Sequence, residues 1–270
     1  MIGAIIGDIV GSRFEFHNTK YQNFELFHAS SRFTDDTVMT LAVAEAILRW
    51  DQEGRTSYER LSFLAEEKMR AWGRSYPYAG YGKQFKHWLF DDSLGPYNSC
   101  GNGAAMRISP VGWAATSLEE CIAMSRAVTE VTHNHPDGFR GAEATAVQIF
   151  LARQGKSIAA LKKYEQEHYY IIKHDLQWLK EHYHWHSVCD GTCQAAYECL
   201  YASNSFEEAI RNCIIVGGDC DTTGAICGGI AQVVWGIPKD IEKKAYSYLD
   251  KVQISLIDVF QSRYCNKSGS

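Results

Sequence analysis

The chain has 270 residues, a formal net charge of −5 and nine cysteines. This acidic balance gives no electrostatic reason to expect nucleic acid or an anionic membrane surface as a partner. The odd number of cysteines, with no Cys-x-x-Cys pair, indicates a reducing cytosol rather than a disulfide framework. No apolar run resembles a bilayer span or a signal peptide. We therefore expect a cytoplasmic protein without a membrane partner.

Apolar residues recur at helical spacing through most of the chain, and few segments alternate with period two. The pattern predicts an all-α fold in a single domain over residues 1–265, with a frayed tail at 266–270. The predicted helices, in chain order, cover residues 1–10, 35 to about 50, 56–72, 117–131, 139–153, 191–202, 205–216, a buried helix that ends at Pro238, and 240–260.

Two carboxylates stand out in the first 16 residues. Asp8 lies near the end of the apolar helix predicted over residues 1–10, where we expect a polar group that is hydrogen bonded near a turn. Glu15 lies between Phe14 and Phe16. A carboxylate in apolar surroundings has a raised pKa or needs a cation beside it, so Glu15 is a candidate functional residue.

A cluster of oxygen-bearing side chains, Thr34, Asp35 and Asp36, begins the next helix. Asp219, Asp221 and Thr222 repeat the arrangement where a Gly-Gly turn becomes a buried helix. A helix cap explains one such residue at each start. Two clusters of two aspartates and a threonine favour sites for two divalent cations, magnesium or manganese.

Two turns between these clusters are candidates for ligand binding. Gly101–Arg107 reads Gly-Asn-Gly-Ala-Ala-Met-Arg, and its glycines would let backbone N–H groups approach a phosphate. His133 and His135 lie in a second turn and could touch a ligand, although histidines in turns more often cap or pack. Each signal is weak by itself.

A competing signal suggests zinc. His182 and His186, at i and i+4 on a predicted helix, precede Cys189 and Cys193. Nothing else in the sequence supports this site, and we regard it as the less favoured interpretation.

Taken together, five motifs resemble those of the ADP-ribosylglycohydrolase family, which includes the enzyme that reactivates ADP-ribosylated dinitrogenase reductase. The motifs are Gly7–Glu15, Phe33–Thr37, Gly101–Arg107, Thr132–His135 and Gly217–Thr222, and they occur in the family's order across nearly the whole chain. The resemblance implies an orthogonal multi-helix domain with a centre of two metal ions, Mg²⁺ or Mn²⁺.

The resemblance also implies roles for individual residues. The implied metal ligands are Thr34, Asp35, Asp36, Asp219, Asp221 and Thr222, with Asp221 as the bridge. The implied substrate-binding residues are Glu15, Gly101, Asn102, Gly103, Ala104, Met106 and His133.

The expected reaction is hydrolysis of the C1″ glycosidic bond between ADP-ribose and an acceptor on a protein or a small molecule. Glu15, Asp35 and Asp36 are the candidates for moving the proton, and Glu15 is favoured because of its apolar neighbours. Two alternatives stay open, a catalytically silent ADP-ribose-binding protein and another two-metal hydrolase such as a phosphoesterase. We expect a monomer, because no heptad pattern or long apolar stripe is left over.

Overall fold

The computed structural model describes residues 1–265, which form α-helices joined by loops and contain no β-strand. The all-α prediction is thereby confirmed, and the tail predicted at 266–270 lies outside the described residues. The helices are α1 (Ile2–Gly11), α2 (Asp35–Gln52), α3 (Tyr58–Ser75), α4 (Lys83–Phe90), α5 (Gly103–Met106), α6 (Ser109–Ala114), α7 (Leu118–Thr129), α8 (Pro136–Arg153), α9 (Ile158–His168), α10 (Leu176–His182), α11 (Cys189–Tyr201), α12 (Phe206–Val216), α13 (Cys220–Trp235), α14 (Lys239–Tyr246) and α15 (Lys251–Tyr264).

Helices α1 and α13 form the centre of the fold. Every residue of α1 is buried, and α13 is buried from Cys220 to Ala231. The two backbones touch through glycines: a Cβ on Gly7 would lie 2.0 Å from the Gly224 carbonyl oxygen, and one on Gly11 would lie 2.3 Å from Asp221 Cα. This close approach fixes the start of α13 against the end of α1.

Helix α2 packs on both α1 and α3, and α8 packs on α5, α6, α7 and α13. The N-termini of α2 and α13 are therefore brought to neighbouring positions although 184 residues separate Thr37 from Asp221 in the sequence. Predicted serine caps are present at two helix starts, where Ser117 Oγ accepts from Glu120 N and Ser205 Oγ accepts from Glu208 N.

The prediction of one helix over residues 240–260 is wrong, because the chain there forms α14 and α15 with a break between them. Asp250 starts the second helix: its side chain accepts from the backbone N–H groups of Val252 and Gln253, and the Gln253 side chain accepts from Asp250 N. This capping box satisfies donors that a continuous helix would use internally. No helix among residues 1–265 combines the length and apolarity needed to cross a membrane.

Candidate active site

A cleft of about 470 Å³ opens where the starts of α2 and α13, the end of α1 and the Gly101–Arg107 turn meet. This volume is within the range of pockets that hold small molecules and cofactors. Most of the predicted site residues line it, namely Glu15, Asp35, Asp36, Gly101, Asn102, Gly103, Met106, His133, Asp219, Asp221 and Thr222. Thr34 and Ala104 are buried behind the lining.

Asp8 organises the first acidic cluster from behind. Its carboxylate accepts from Thr34 N at 2.9 Å, from Thr34 Oγ1 at 2.7 Å and from Thr37 N at 3.1 Å, and Thr37 Oγ1 donates to it as well. Thr34 is also the N-cap of α2. The side chain of Thr34 therefore serves the helix start, and Asp8 is the hydrogen-bonded polar group that the sequence predicted.

Asp36 lines the cleft, and one of its carboxylate oxygens has no hydrogen-bond donor. Its Oδ2 lies 3.4 Å from both Thr34 Oγ1 and Thr222 Oγ1, while its buried Oδ1 has no hydrogen-bond partner. Burial raises the pKa of Asp36 well above its ordinary value, and the neighbouring Asp8 and Asp35 raise this pKa further. Because Asp36 also lines the cleft, this free oxygen is available to a bound cation.

The second cluster is held by contacts from distant parts of the chain. Gly217 and Gly218 adopt φ values of +85° and +71° in the turn before α13. Asn18 clamps this turn, because its Oδ1 accepts from Gly218 N at 2.8 Å and its Nδ2 donates to Gly218 O at 3.0 Å. Asn102 Nδ2 donates to Asp219 Oδ2 at 2.7 Å, which fixes that carboxylate beside the Gly101–Arg107 turn.

The two clusters meet at Asp221. One ligand oxygen from each of Asp8, Asp36 and Asp221 lies within 4.8 Å of the others, and the same holds for Glu15, Asp219 and Asp221. Burial, followed by Asp219 and Asp36, raises the pKa of Asp221 well above its ordinary value. The set consists of hard oxygen donors whose mutual repulsion a cation would relieve, so the residues fit a divalent metal ion.

Two acids at the edge of this set have pKa values near neutrality. Burial and the nearby Asp219 raise the pKa of the half-buried Glu15 to about 7. Burial and Asp8 raise the pKa of Asp35 to about 8. Asp35 lines the cleft but belongs to neither of the three-residue groups. Both acids can therefore gain or lose a proton at neutral pH in the metal-free protein.

The opposite wall of the cleft carries a buried cation. Arg107 is 1% exposed, and no carboxylate of residues 1–265 forms an ion pair with it. Its Nη2 donates to Thr132 Oγ1 at 2.8 Å. Burial lowers the pKa of Arg107 to about 10, and burial together with Arg107 lowers the pKa of His133 well below its ordinary value.

Sequence reasoning missed two residues of this wall. Arg107 is the last residue of the Gly101–Arg107 motif and was not among the predicted site residues. That it is buried without a carboxylate partner follows from tertiary packing. Trp185 lines the cleft and is 50% exposed, yet it comes from the segment 154–187, in which the less favoured zinc interpretation was the one signal. His135 does not line the cleft; it caps α8, where its side chain accepts from Asp137 N.

The predicted placement of the zinc histidines on one helix is wrong. Helix α10 ends at His182, whose exposed ring stacks on Trp178, so His186 lies beyond the helix. Cys189 and Cys193 are fully buried at the start of α11. The metal-ligand groups found among residues 1–265 do not include these four side chains.

Comparison with known proteins agrees with the fold and with the family resemblance. The family model for ADP-ribosylglycohydrolase matches residues 1–264, so the chain belongs to the ADP-ribosylglycohydrolase family. A solved structure, an ADP-ribosylglycohydrolase-related protein complex, superposes with a TM-score of 0.69 at 22% identity, covering 98% of this chain and 96% of that one. This likeness establishes the fold that the resemblance implied.

Three relatives illustrate the range of the family. The human ADP-ribosylhydrolase ARH3 is 29% identical over 183 residues, which cover 58% of this chain and 50% of the relative. The ADP-ribosylarginine hydrolase Tri1 of Pseudomonas putida is 25% identical, with 96% of this chain and 76% of the relative covered. The ADP-ribosyl-[dinitrogen reductase] glycohydrolase of Rhodospirillum rubrum is 24% identical, with 92% and 88% covered. The match to ARH3 thus spans about half the length of that relative.

Proposed function

We propose that the chain is a metal-dependent ADP-ribosyl hydrolase, which cleaves the C1″ glycosidic bond between ADP-ribose and an acceptor and releases ADP-ribose. The observation that carries the proposal is the meeting of both acidic clusters at Asp221, at the base of a nucleotide-sized cleft. Membership in the family and the activities named for its relatives support the substrate class.

Within this proposal the two clusters hold two divalent cations, Mg²⁺ or Mn²⁺. Asp36, Asp219 and Asp221 supply oxygens from the cleft floor, with Asp35 and Thr222 beside them. Thr34 supports the first cluster through its hydrogen bond to Asp8. When bound, such ions hold substrate oxygens, orient water and stabilise developing negative charge.

Glu15 is the residue proposed to move the proton. Its carboxyl lies at the edge of the acidic set, and burial together with Asp219 raises its pKa to about 7 in the metal-free protein. This half-buried acid can reach the cleft, where it could hold or accept a proton. Glycosidic cleavage needs one group to protonate the leaving acceptor or to take a proton from the attacking water. Asn102, by fixing Asp219, keeps the charge that acts on Glu15 in place.

The remaining walls suit the rest of ADP-ribose. Gly101 and Gly103 leave the backbone open to the cleft, and His133 and Arg107 place donors behind it. We propose that this side receives the diphosphate, and that an ADP-ribosylated protein or a small-molecule conjugate supplies the acceptor. We propose that the protein acts as a monomer in the cytosol.

The decisive assay measures free ADP-ribose by mass after incubation with arginine-, serine- and acetyl-linked substrates, in Mg²⁺, in Mn²⁺ and in EDTA. We expect metal-dependent release that falls by ~100-fold or more in Asp35→Ala/Asp36→Ala, because both carboxylates line the metal-binding floor. Asp91→Ala/Asp92→Ala removes an adjacent aspartate pair outside the cleft and should leave release unchanged.

Three results would redirect the proposal. Release of phosphate instead of ADP-ribose would indicate a phosphoesterase. Binding of ADP-ribose and metal with no release from any substrate would indicate a silent binding protein. A Glu15→Gln variant that turns over normally while binding metal would remove Glu15 from the proton step, with the exposed Glu25→Gln on the same loop as its control.

A further inference from the structure

The side chains of Arg107, Thr132 and His133 form a chain of hydrogen bonds. The donor and acceptor roles along this chain can be assigned. Arg107 Nη2 donates to Thr132 Oγ1 at 2.8 Å, and Thr132 Oγ1 lies 2.7 Å from His133 Nδ1. A guanidinium carries donors only, and a hydroxyl has a single proton. Since Thr132 Oγ1 accepts from Arg107, its own proton is available to His133 Nδ1.

The opposite tautomer of His133 is disfavoured by the same contacts. A proton on Nδ1 would face the N–H groups of Arg107 Nη2, which lies 3.5 Å away. It would also leave the Thr132 hydroxyl proton without an acceptor in a site where all three side chains are buried. Leaving a buried donor unpaired costs about 1–3 kcal/mol, so the ring carries its proton on Nε2.

His133 Nε2 faces the cleft past two glycines. A Cβ on Gly103 would lie 3.2 Å from Nε2, and one on Gly101 would lie 3.4 Å from it. No side chain from either residue therefore covers the ring on this side, and His133 lines the cleft. The ring nitrogen on the cleft side is a donor, which calls for an acceptor on the ligand.

We infer that Arg107 is a positioning residue that acts through Thr132 to hold His133 as a neutral donor, with its Nε2–H aimed at an anionic oxygen of a nucleoside diphosphate. The inference rests on the proposed function for the identity of that ligand. It assigns His133 a binding role and excludes it as the acid or base of the reaction.

The surroundings keep this arrangement constant over a wide pH range. Burial and the Arg107 charge hold the pKa of His133 well below its ordinary value. The other titratable neighbours are Tyr97 and Cys189. The ring centroid of Tyr97 lies 6.2 Å from that of His133, and Cys189 interacts electrostatically with Arg107. Neither supplies a carboxylate that would favour an imidazolium ion, so the donor persists through the physiological range.

The test combines ¹⁵N NMR of the imidazole nitrogens with ADP-ribose binding, measured on the full chain from pH 5.5 to 8. A His133→Gln variant identifies the His133 signals. We expect the wild type to show Nε2 protonated and Nδ1 bare throughout. Thr132→Val, which keeps the side-chain shape but removes the hydroxyl, should mix the tautomers and weaken ADP-ribose binding ~10-fold. Thr132→Ser restores the hydroxyl and should behave as the wild type within about twofold.

Two outcomes would overturn the inference. One is a wild-type His133 protonated on Nδ1 or titrating near pH 6.5, which is readable even if the valine variant does not fold. The other is a folded Thr132→Val protein that binds ADP-ribose weakly while its His133 signals stay unchanged, since that marks a purely structural role. A wild type that shows the expected tautomer but does not bind ADP-ribose would contradict the proposed function and leave the tautomer assignment intact.

Discussion

Buried carboxylates occur in two regions of this molecule, and their surroundings differ. At the cleft, Asp36, Asp219 and Asp221 gather from two helix starts and face open space. Behind the cleft, Glu165 on α9 is completely buried with one partner, Gln148 Nε2 at 2.8 Å from its Oε2. Burial raises the pKa of Glu165 to about 8, the same value that Asp35 reaches at the cleft.

The comparison shows that a displaced pKa alone does not mark a functional site. Glu165 reaches its value through desolvation alone, whereas several like charges add to desolvation at Asp35. The feature that separates the regions is convergence: oxygens from distant parts of the chain approach one another at a surface that a ligand can reach. A cation can stabilise the first arrangement and has no access to the second.

The largest expected effect comes from breaking the contact that creates this convergence. Gly11→Ala places a Cβ 2.3 Å from Asp221 Cα, so α13 must move away from α1. We expect a loss of about 3 kcal/mol in the free energy of unfolding, from overpacking of two backbones. Displacing Asp221 by ~1 Å should lower turnover by about 100-fold. Urea denaturation and the ADP-ribose release assay measure the two losses.

The matched control is Gly95→Ala, where a new Cβ meets no atom within 4 Å and φ is not positive. It should change neither quantity. If Gly11→Ala kept both the stability and the turnover of the wild type, the packing of α1 on α13 would not be what positions Asp221.

This contact also shows how far the sequence could predict the site. Helix positions, the capping serines and the two Thr/Asp/Asp clusters follow from local patterns, because each depends on neighbours within four residues. That the clusters approach each other was implied by the family resemblance. The local pattern does not contain it, since it depends on Gly7 and Gly11 meeting α13 more than 200 residues away.

The residues that sequence reasoning missed have the same origin. Arg107 is recognisable as an unpaired cation only once its burial is known. Trp185 is recognisable as a cleft residue only once its loop is seen to lie against the Gly101–Arg107 turn. Asn102 N donates to Ser187 O at 2.9 Å, which is the contact that brings this loop to the cleft. The break between α14 and α15 was missed for a local reason, because Asp250 and Gln253 were not recognised as a capping box.

Adding Mn²⁺ should increase the free energy of unfolding by an intermediate amount. The increase should depend on the carboxylates of the cleft and not on Glu165. Mn²⁺ at 100 times its dissociation constant should stabilise the protein by about 2.7 kcal/mol, because the ion binds the folded state only. For a chain of this size, that corresponds to a rise in Tm of roughly 5 °C. Differential scanning calorimetry with Mn²⁺ and with EDTA measures it.

Asp221→Asn should lose most of this metal-dependent rise, because Asp221 is the residue shared by both groups of ligands. Glu165→Gln should retain the rise in full. Equal Mn²⁺ stabilisation of the wild type and Asp221→Asn would place the bound ion elsewhere in the protein.

The smallest effect is the pH dependence contributed by Glu165. Its pKa rises from 4.5 in the unfolded chain to about 8 in the folded protein, so the folded state binds the extra proton between these values. The stability from this group is fully present below pH 4.5 and is lost as the pH rises to about 8.

Glu165→Gln removes the ionisation while keeping an acceptor for Gln148. It should therefore be more stable than the wild type at pH 8.5 by on the order of 2 kcal/mol, and the difference should shrink towards pH 5. Chemical denaturation at both pH values in EDTA isolates this term, with the exposed Glu167→Gln on the same helix as the control. A difference that does not vary with pH would mean that Glu165 is already ionised in the folded protein, and the contrast between a lone buried acid and the gathered acids of the cleft would then need another cause.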